Sequence, residues 1–218
     1  MFRSTHCRRK AFSVWIALAM LAWMLTGCTA VVIEGAKRAW EDRSAEDQVL
    51  DIQIAAGLMS ALAKKDNNLF LDVSFDVWEQ RVMVTGALSD PRQKQDVDHM
   101  VRADRRMRTI YHDILLVSAE SQAQRRDASR NKAAPKKEGV GQTVNDFWIE
   151  TKISAQLLTK ENVTSVNYRW RSVYNTVYVI GRAPSRTELN AVLAVIRDTE
   201  GVKNTRSYIE IKPGRVHN

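Results

Sequence analysis

The sequence predicts an α+β protein made of two tandem α-β-β-α-β modules, each a small mixed sheet with two helices on one face. Three observations carry that prediction. The chain matches itself without a gap at a shift of 95 residues, which lays residues 51–114 on residues 146–209. Within each copy the apolar spacing changes from helical to alternating and back again. A glycine also recurs at one place in both copies, as Gly86 and Gly181.

Identical pairs at this shift include Asp51 and Asp146, Ile54 and Ile149, Leu62 and Leu157, Val82 and Val177, Val84 and Val179, and Val97 and Val192. The first helix of each copy has its inward stripe at Ile54, Leu58 and Leu62, or Ile149, Ile153 and Leu157. Asp51 and Asp146 stand where N-caps are expected. Period-two alternation follows at Leu71, Val73 and Phe75, matched by Val166, Tyr168 and Trp170, then at Val82 and Val84, matched by Val177 and Val179. A polar turn at Glu79-Gln80, and at Asn175-Thr176, makes each pair of strands a hairpin. Gly86 and Gly181 are expected to turn the backbone off the second strand, and Gly201 to turn it before the last one. Asp90-Pro91 with Gln93, and Ser185 with Glu188, read as helix starts of the capping-box type. Last strands at 109–117 and 205–212 complete the order.

Ahead of the modules, Arg3, Arg8, Arg9 and Lys10 precede an apolar run over residues 11–25, too short to span a bilayer at about 20 residues. Leu25-Thr26-Gly27-Cys28 then resembles a bacterial lipobox. That resemblance implies cleavage before Cys28, lipidation of Cys28, and, with Thr29 next, sorting to the outer membrane with the domains facing the periplasm. The expected organisation is a signal peptide at 1–27, a lipidated tether at 28–50, a first module at 51–117, a linker at 118–145 and a second module at 146–213. Each buried methylene of an acyl chain contributes about 0.8 kcal/mol, so several chains hold a protein at a membrane almost permanently.

Removing residues 1–27 takes away four basic residues and no acidic ones, so the formal charge falls from +8 to +4. An exported chain with so modest an excess meets phospholipid or cell-wall polymers, and no nucleic-acid partner is expected. Cys7 leaves with the signal and Cys28 carries lipid, so no thiol is left for a disulfide or a metal. His99, His112 and His217 are scattered, and neither metal-ligand spacing nor a glycine-rich phosphate loop is present. No catalytic residue, cofactor or metal is expected, and the chain reads as a binding protein and not an enzyme.

The order of elements, Val-x-Val-x-Gly at the end of the second strand and Gly201-Val202 before the last strand resemble the BON domain of bacterial envelope proteins. Lipobox, short leader and two such modules together resemble the dual BON-domain outer-membrane lipoproteins. The resemblance implies a role in outer-membrane integrity and an anionic phospholipid membrane as partner of the second module. The two copies differ in a way that agrees with this, because Ile52-Gln53 becomes Phe147-Trp148. With Ile149, Ile153 and Leu157 inward, Trp148 lies about 100° to one side with Lys152 a turn further, and Phe147 and Leu158 share an outer face. Phe147, Trp148, Lys152 and Leu158 are therefore the candidate phospholipid contacts, aromatic rings beside an ammonium being suited to a headgroup layer. The alternative is that the two aromatics pack against the first module or the linker. A basic run at Arg102, Arg105, Arg106 and Arg108 is a second candidate for anions, and Arg169, Arg171, Arg182 and Arg186 give the second module a basic surface. The competing functional reading is an adaptor for outer-membrane protein assembly or other envelope machinery, with no lipid contact from the domains themselves.

Overall fold

The structure, a computed structural model, describes residues 41–66, 68–130 and 142–213, apart from the side chains of 128–130 and 142–145. Cys28, Thr29, the signal segment, most of the tether, residues 131–141 of the linker and His217 lie outside the described residues. The chain from Asp42 onward is one compact unit, Asp42–Asn218.

The first helix, α1 (Ala45–Lys65), starts earlier than its periodicity suggested, because Ser44 is the N-cap and accepts from the Asp47 amide. Asp51 therefore lies inside the helix and caps nothing. Its buried carboxylate accepts from the amides of Glu79 at 2.7 Å and Gln80 at 2.8 Å, which form the turn of the hairpin that follows. Both turn residues have positive φ, 47° and 59°. Such a two-residue turn matches the twist of its strands but strains residues other than glycine, and the carboxylate satisfies the amides that the turn leaves without partners. The second module repeats the device. Its first helix, α4 (Gln142–Thr159), also runs past its expected cap. Asp146 accepts from Tyr174 N and Asn175 N, both at 2.9 Å. The turn is thus Tyr174-Asn175, one residue ahead of the Asn175-Thr176 expected from polarity.

Strands β1 (Val73–Trp78) and β2 (Arg81–Leu88) pair antiparallel, α2 (Pro91–Ala103) crosses over, and β3 (Thr109–Leu116) lies parallel to β2. The second module has the same plan in β4 (Tyr168–Val173), β5 (Thr176–Ala183), α5 (Arg186–Asp198) and β6 (Asn204–Ile211). Registers correspond as well. Val73 faces Gly86 as Tyr168 faces Gly181, and Arg81 faces Thr109 as Thr176 faces Asn204. The match at a shift of 95 residues is therefore a match of hydrogen-bond register as well as of side chains.

Gly86 and Gly181 do not turn the chain, since both lie inside strands. Just ahead of β1 and β4 come single 3-10 turns, Leu69–Leu71 and Ser165–Asn167, which hold Leu71 and Val166 out of the strands. A Cβ on Gly86 would lie 2.0 Å from the Asp72 carbonyl oxygen, and one on Gly181 would lie 2.2 Å from that of Asn167. Glycine is required there for close approach at positive φ. Gly201, with φ 96°, is in the turn between α5 and β6.

Asp90 and Ser185 cap α2 and α5, accepting from Arg92 N and Glu188 N. The Glu188 side chain does not close a capping box. It accepts instead from Thr164 N and from the Tyr168 hydroxyl, each at 2.8 Å. Both helices of each module cover one sheet face. Ile54, Leu58, Leu62, Val97 and Val101 meet Val73, Val82, Val84 and Ile114 in the first core. Ile149, Ile153, Leu157, Val192 and Ile196 meet Tyr168, Val177 and Val179 in the second.

The helix-free faces of the two sheets pack against each other. Trp78, Met83 and Ala87 from one join Val173, Tyr178 and Ile180 from the other in a third core, with Tyr111 and Tyr208 stacked at 4.0 Å. The order of layers is α-β-β-α. Three-stranded modules of this size are marginal alone, and complete burial of Trp78, Met83, Tyr178 and Ile180 contributes roughly 1.5–3 kcal/mol per side chain. The linker takes part too. Its first half is helix α3 (Ala119–Arg130), tied to the first module where Gln122 and Arg126 donate to Asp72 at 2.8 and 2.7 Å.

Candidate functional site

The outer face of α4 carries the largest apolar exposure in the second module. Leu158 is 76% exposed, Phe147 56% and Trp148 39%. Their inward neighbours Ile149, Ile153 and Leu157 hold the helix on its sheet, and the Trp170 indole N–H fixes it further by donating to the Glu150 carbonyl at 3.2 Å. Phe147 and Trp148 touch edge to face with centroids 6.3 Å apart. Between Phe147 and Leu158 the same face shows Thr151 and Ser154, and no carboxylate. Asp146 and Glu150 point inward, toward the hairpin turn and β4, where Glu150 accepts from Ser172 N at 2.8 Å. Lys152 pairs with Glu200 at 2.7 Å, a surface bridge that holds the Glu200 carboxyl below its usual range. In α1 the same positions are Ile52, Gln53, Gly57 and Ala63, so that helix has neither the aromatic pair nor the lysine.

The arginines expected to make basic surfaces are mostly committed elsewhere. Arg102 binds Asp98, Arg106 binds Asp104 and Arg108 binds Glu210, so three of the four arginines in that run are paired with carboxylates. In the second module Arg171 donates to Asp76 at 2.9 and 3.2 Å, and Arg182 reaches the Asp42 carbonyl at 2.7 Å and Glu79 at 3.2 Å. Arg169 donates to the carbonyls of Val166 and Tyr168 and lies over the Trp78 ring. These side chains join the modules. Alternation alone had marked their strand positions as a solvent face, and no local signal told otherwise.

Two of the joining contacts are between equivalent positions of the two copies, Asp76 with Arg171 and Asp113 with Tyr208. A position that meets its own counterpart lies on an approximate twofold axis, so the modules are arranged as the halves of a C2 dimer would be. Among the described residues no group of three or more His, Cys, Asp or Glu side chains is placed to hold a metal ion. His99 is exposed in α2. His112 is half-buried in β3, and burial pushes its imidazole below the usual value.

Residues 145–213 match the family model of the BON domain, so one BON domain coincides with the second module and takes in α4 from Asn145 onward. An uncharacterised protein in the gshII 5′ region of Anaplasma centrale is 26% identical over 150 residues, covering 69% of this chain and 88% of that protein. Among solved structures, CdsD, a structural protein of the type III secretion system of Chlamydia trachomatis, aligns at 8% identity and TM-score 0.29, covering 72% of this chain and 91% of that one. The C-terminal domain of CdsD aligns at 10% identity and TM-score 0.28, covering 71% and 96%. Likeness this partial carries no argument about the present chain.

Proposed function

We propose that this chain is a dual BON-domain envelope lipoprotein, anchored in the outer membrane through Cys28, whose second module docks on anionic phospholipid and supports outer-membrane integrity. The observation that carries the reading is the exposed Phe147, Trp148 and Leu158 face of α4, free of carboxylates and located within the BON-matched segment. Exposed apolar surface of this kind marks an interaction site. A helix that lies in a headgroup layer buries such a face while nearby cations meet lipid phosphate. Lys152 is placed for that exchange, because Glu200 is exposed and its hold is weak in water. The role is binding without catalysis. No helix among the described residues is long and apolar enough to cross a membrane, and peripheral docking beside a lipid anchor requires none.

The test is sedimentation of a version beginning at residue 29, which keeps the whole unit Asp42–Asn218. It should pellet with phosphatidylglycerol vesicles and much less with phosphatidylcholine. Burying the free part of the Trp148 ring is worth roughly 2 kcal/mol, so Trp148→Ala should weaken partitioning at least about tenfold. A protein that stays in solution with phosphatidylglycerol ends this reading. It would favour the adaptor reading, for which α1 offers an aliphatic row at Val49, Ile52 and Met59.

A further inference from the structure

We propose that the cleft between the two modules binds a small hydroxylated oxyanion, a phosphate or carboxylate compound the size of glycerol phosphate. The cleft encloses about 260 Å³ and is lined from three directions: Ser74 and Thr85 of the first module, Arg125 of α3, and Glu150, Ser172 and Val173 of the second. Two residues of the lining have buried polar atoms without a partner. Thr85 is completely buried and its hydroxyl has no hydrogen-bond partner, and Nε and Nη1 of Arg125 are likewise buried without one. Leaving such groups unmet is costly, so a ligand that supplies acceptors recovers that energy.

The approximate twofold axis shows why the cleft exists. At the other end of the interface Arg43 fills the corresponding space, bound to Asp51 at 2.5 Å and stacked 4.4 Å over the Trp78 ring. Asp51 and Trp78 correspond to Asp146 and Val173. Valine in place of tryptophan leaves the space of a ring open, and the Asp146 carboxylate is already taken by the Ser172 hydroxyl and the Tyr174 and Asn175 amides. Arg125 thus has neither of the partners that Arg43 enjoys. The other guanidinium in the lining, that of Arg171, is bound to Asp76 and lies 3.9 Å from Glu150. Arg125 is therefore the cation left for a ligand oxyanion. The hydroxyls of Thr85 and Ser74 are further donors in the lining, whereas that of Ser172 is already given to Asp146. Glu150 is an acceptor for a ligand hydroxyl. The lining shares no residue with the exposed Phe147, Trp148 and Leu158 face of α4, so this site is separate from it.

The probes are inorganic phosphate and glycerol 3-phosphate, with glycerol as the neutral control, titrated calorimetrically into the full chain in a non-ionic detergent. Saturable one-to-one binding of glycerol 3-phosphate is expected, with phosphate weaker and glycerol silent. Arg125→Gln should weaken it at least tenfold and Thr85→Val severalfold. Neither should lower the unfolding midpoint of the free protein, since each removes an unmet buried group. Phosphatidylglycerol vesicles that compete for the site would identify the ligand as a headgroup, and a lack of competition would identify a free solute. No saturable binding, meaning a cleft satisfied by water alone, overturns the proposal, as does undiminished binding in both variants.

Discussion

Arg81 gives the sharpest test of the back-to-back packing. It opens β2 on the helix-free face, is completely buried, and reaches into the opposite sheet. Its Nη1 donates to the Tyr208 carbonyl at 2.6 Å, its Nη2 to the Gly181 carbonyl at 2.8 Å, and its Nε lies 3.5 Å from the Glu210 carboxylate. Arg81→Met keeps much of the apolar stem but leaves two strand carbonyls without their charged donor. Hydrogen bonds to a charged group are worth roughly 1.5–3 kcal/mol each. The part-exposed pair with Glu210 adds about 1 kcal/mol at most, and methionine packing returns part of the total. A net loss of about 3–5 kcal/mol is expected, the range seen when one member of a buried pair is removed. That is a large share of an ordinary domain's stability of about 5–15 kcal/mol. Urea unfolding followed by tryptophan fluorescence measures it, since Trp78 reports on the junction and Trp170 on the second module. The midpoint should fall steeply, with the junction signal lost before that of the second module. A loss below about 1 kcal/mol would show that the sheets do not depend on this contact.

Two further outcomes follow from local geometry. Gly181→Ala should cost roughly 3 kcal/mol or more, because its Cβ would meet the Asn167 carbonyl at 2.2 Å and its φ of 158° suits only glycine; Gly86→Ala should cost a similar amount, and thermal melts showing either to be neutral would contradict the register described. Burial, opposed by the Ser172 amide and Arg171, pushes the Glu150 carboxyl above its ordinary 4.5. Folding therefore favours the protonated form. The stability tied to that form is complete below the ordinary value and is lost as pH rises through the raised one. Glu150→Gln should accordingly be more stable than the native chain near pH 7, with the difference closing toward about pH 4; a gap that widens on acidification would reverse the assignment.

The repeat, the element order and the inward stripes were legible because each rests on local periodicity that tertiary structure preserves. Asp51 and Asp146 were visible as a recurring pair, but their function was not. A carboxylate at the head of an apolar stripe resembles a cap, whereas its real partners are amides 28 and 29 residues downstream. The junction was hidden for another reason. Asp76, Trp78, Arg81 and Met83 alternate with core residues as solvent-facing positions do, and only the opposite sheet turns that mixture into a buried face. Helix α3 was unreadable because Ala, Gln and Arg make a linker as readily as a helix, and Gln122 and Arg126 gain their purpose only against Asp72. The exposure of Phe147 and Leu158 followed from helical phase alone, whereas the ion pair of Lys152 with Glu200 depended on where α5 ends.

Asp76 facing Arg171 has a consequence for how such a chain came to be assembled. Had the copies stayed identical, two carboxylates or two guanidiniums would confront each other across the junction and repel one another. Opposite charge at a single shared position means that the halves recognise each other because they have diverged. Fusion in one polypeptide keeps that unlike couple together, and neither half is replaceable by a spare of the other.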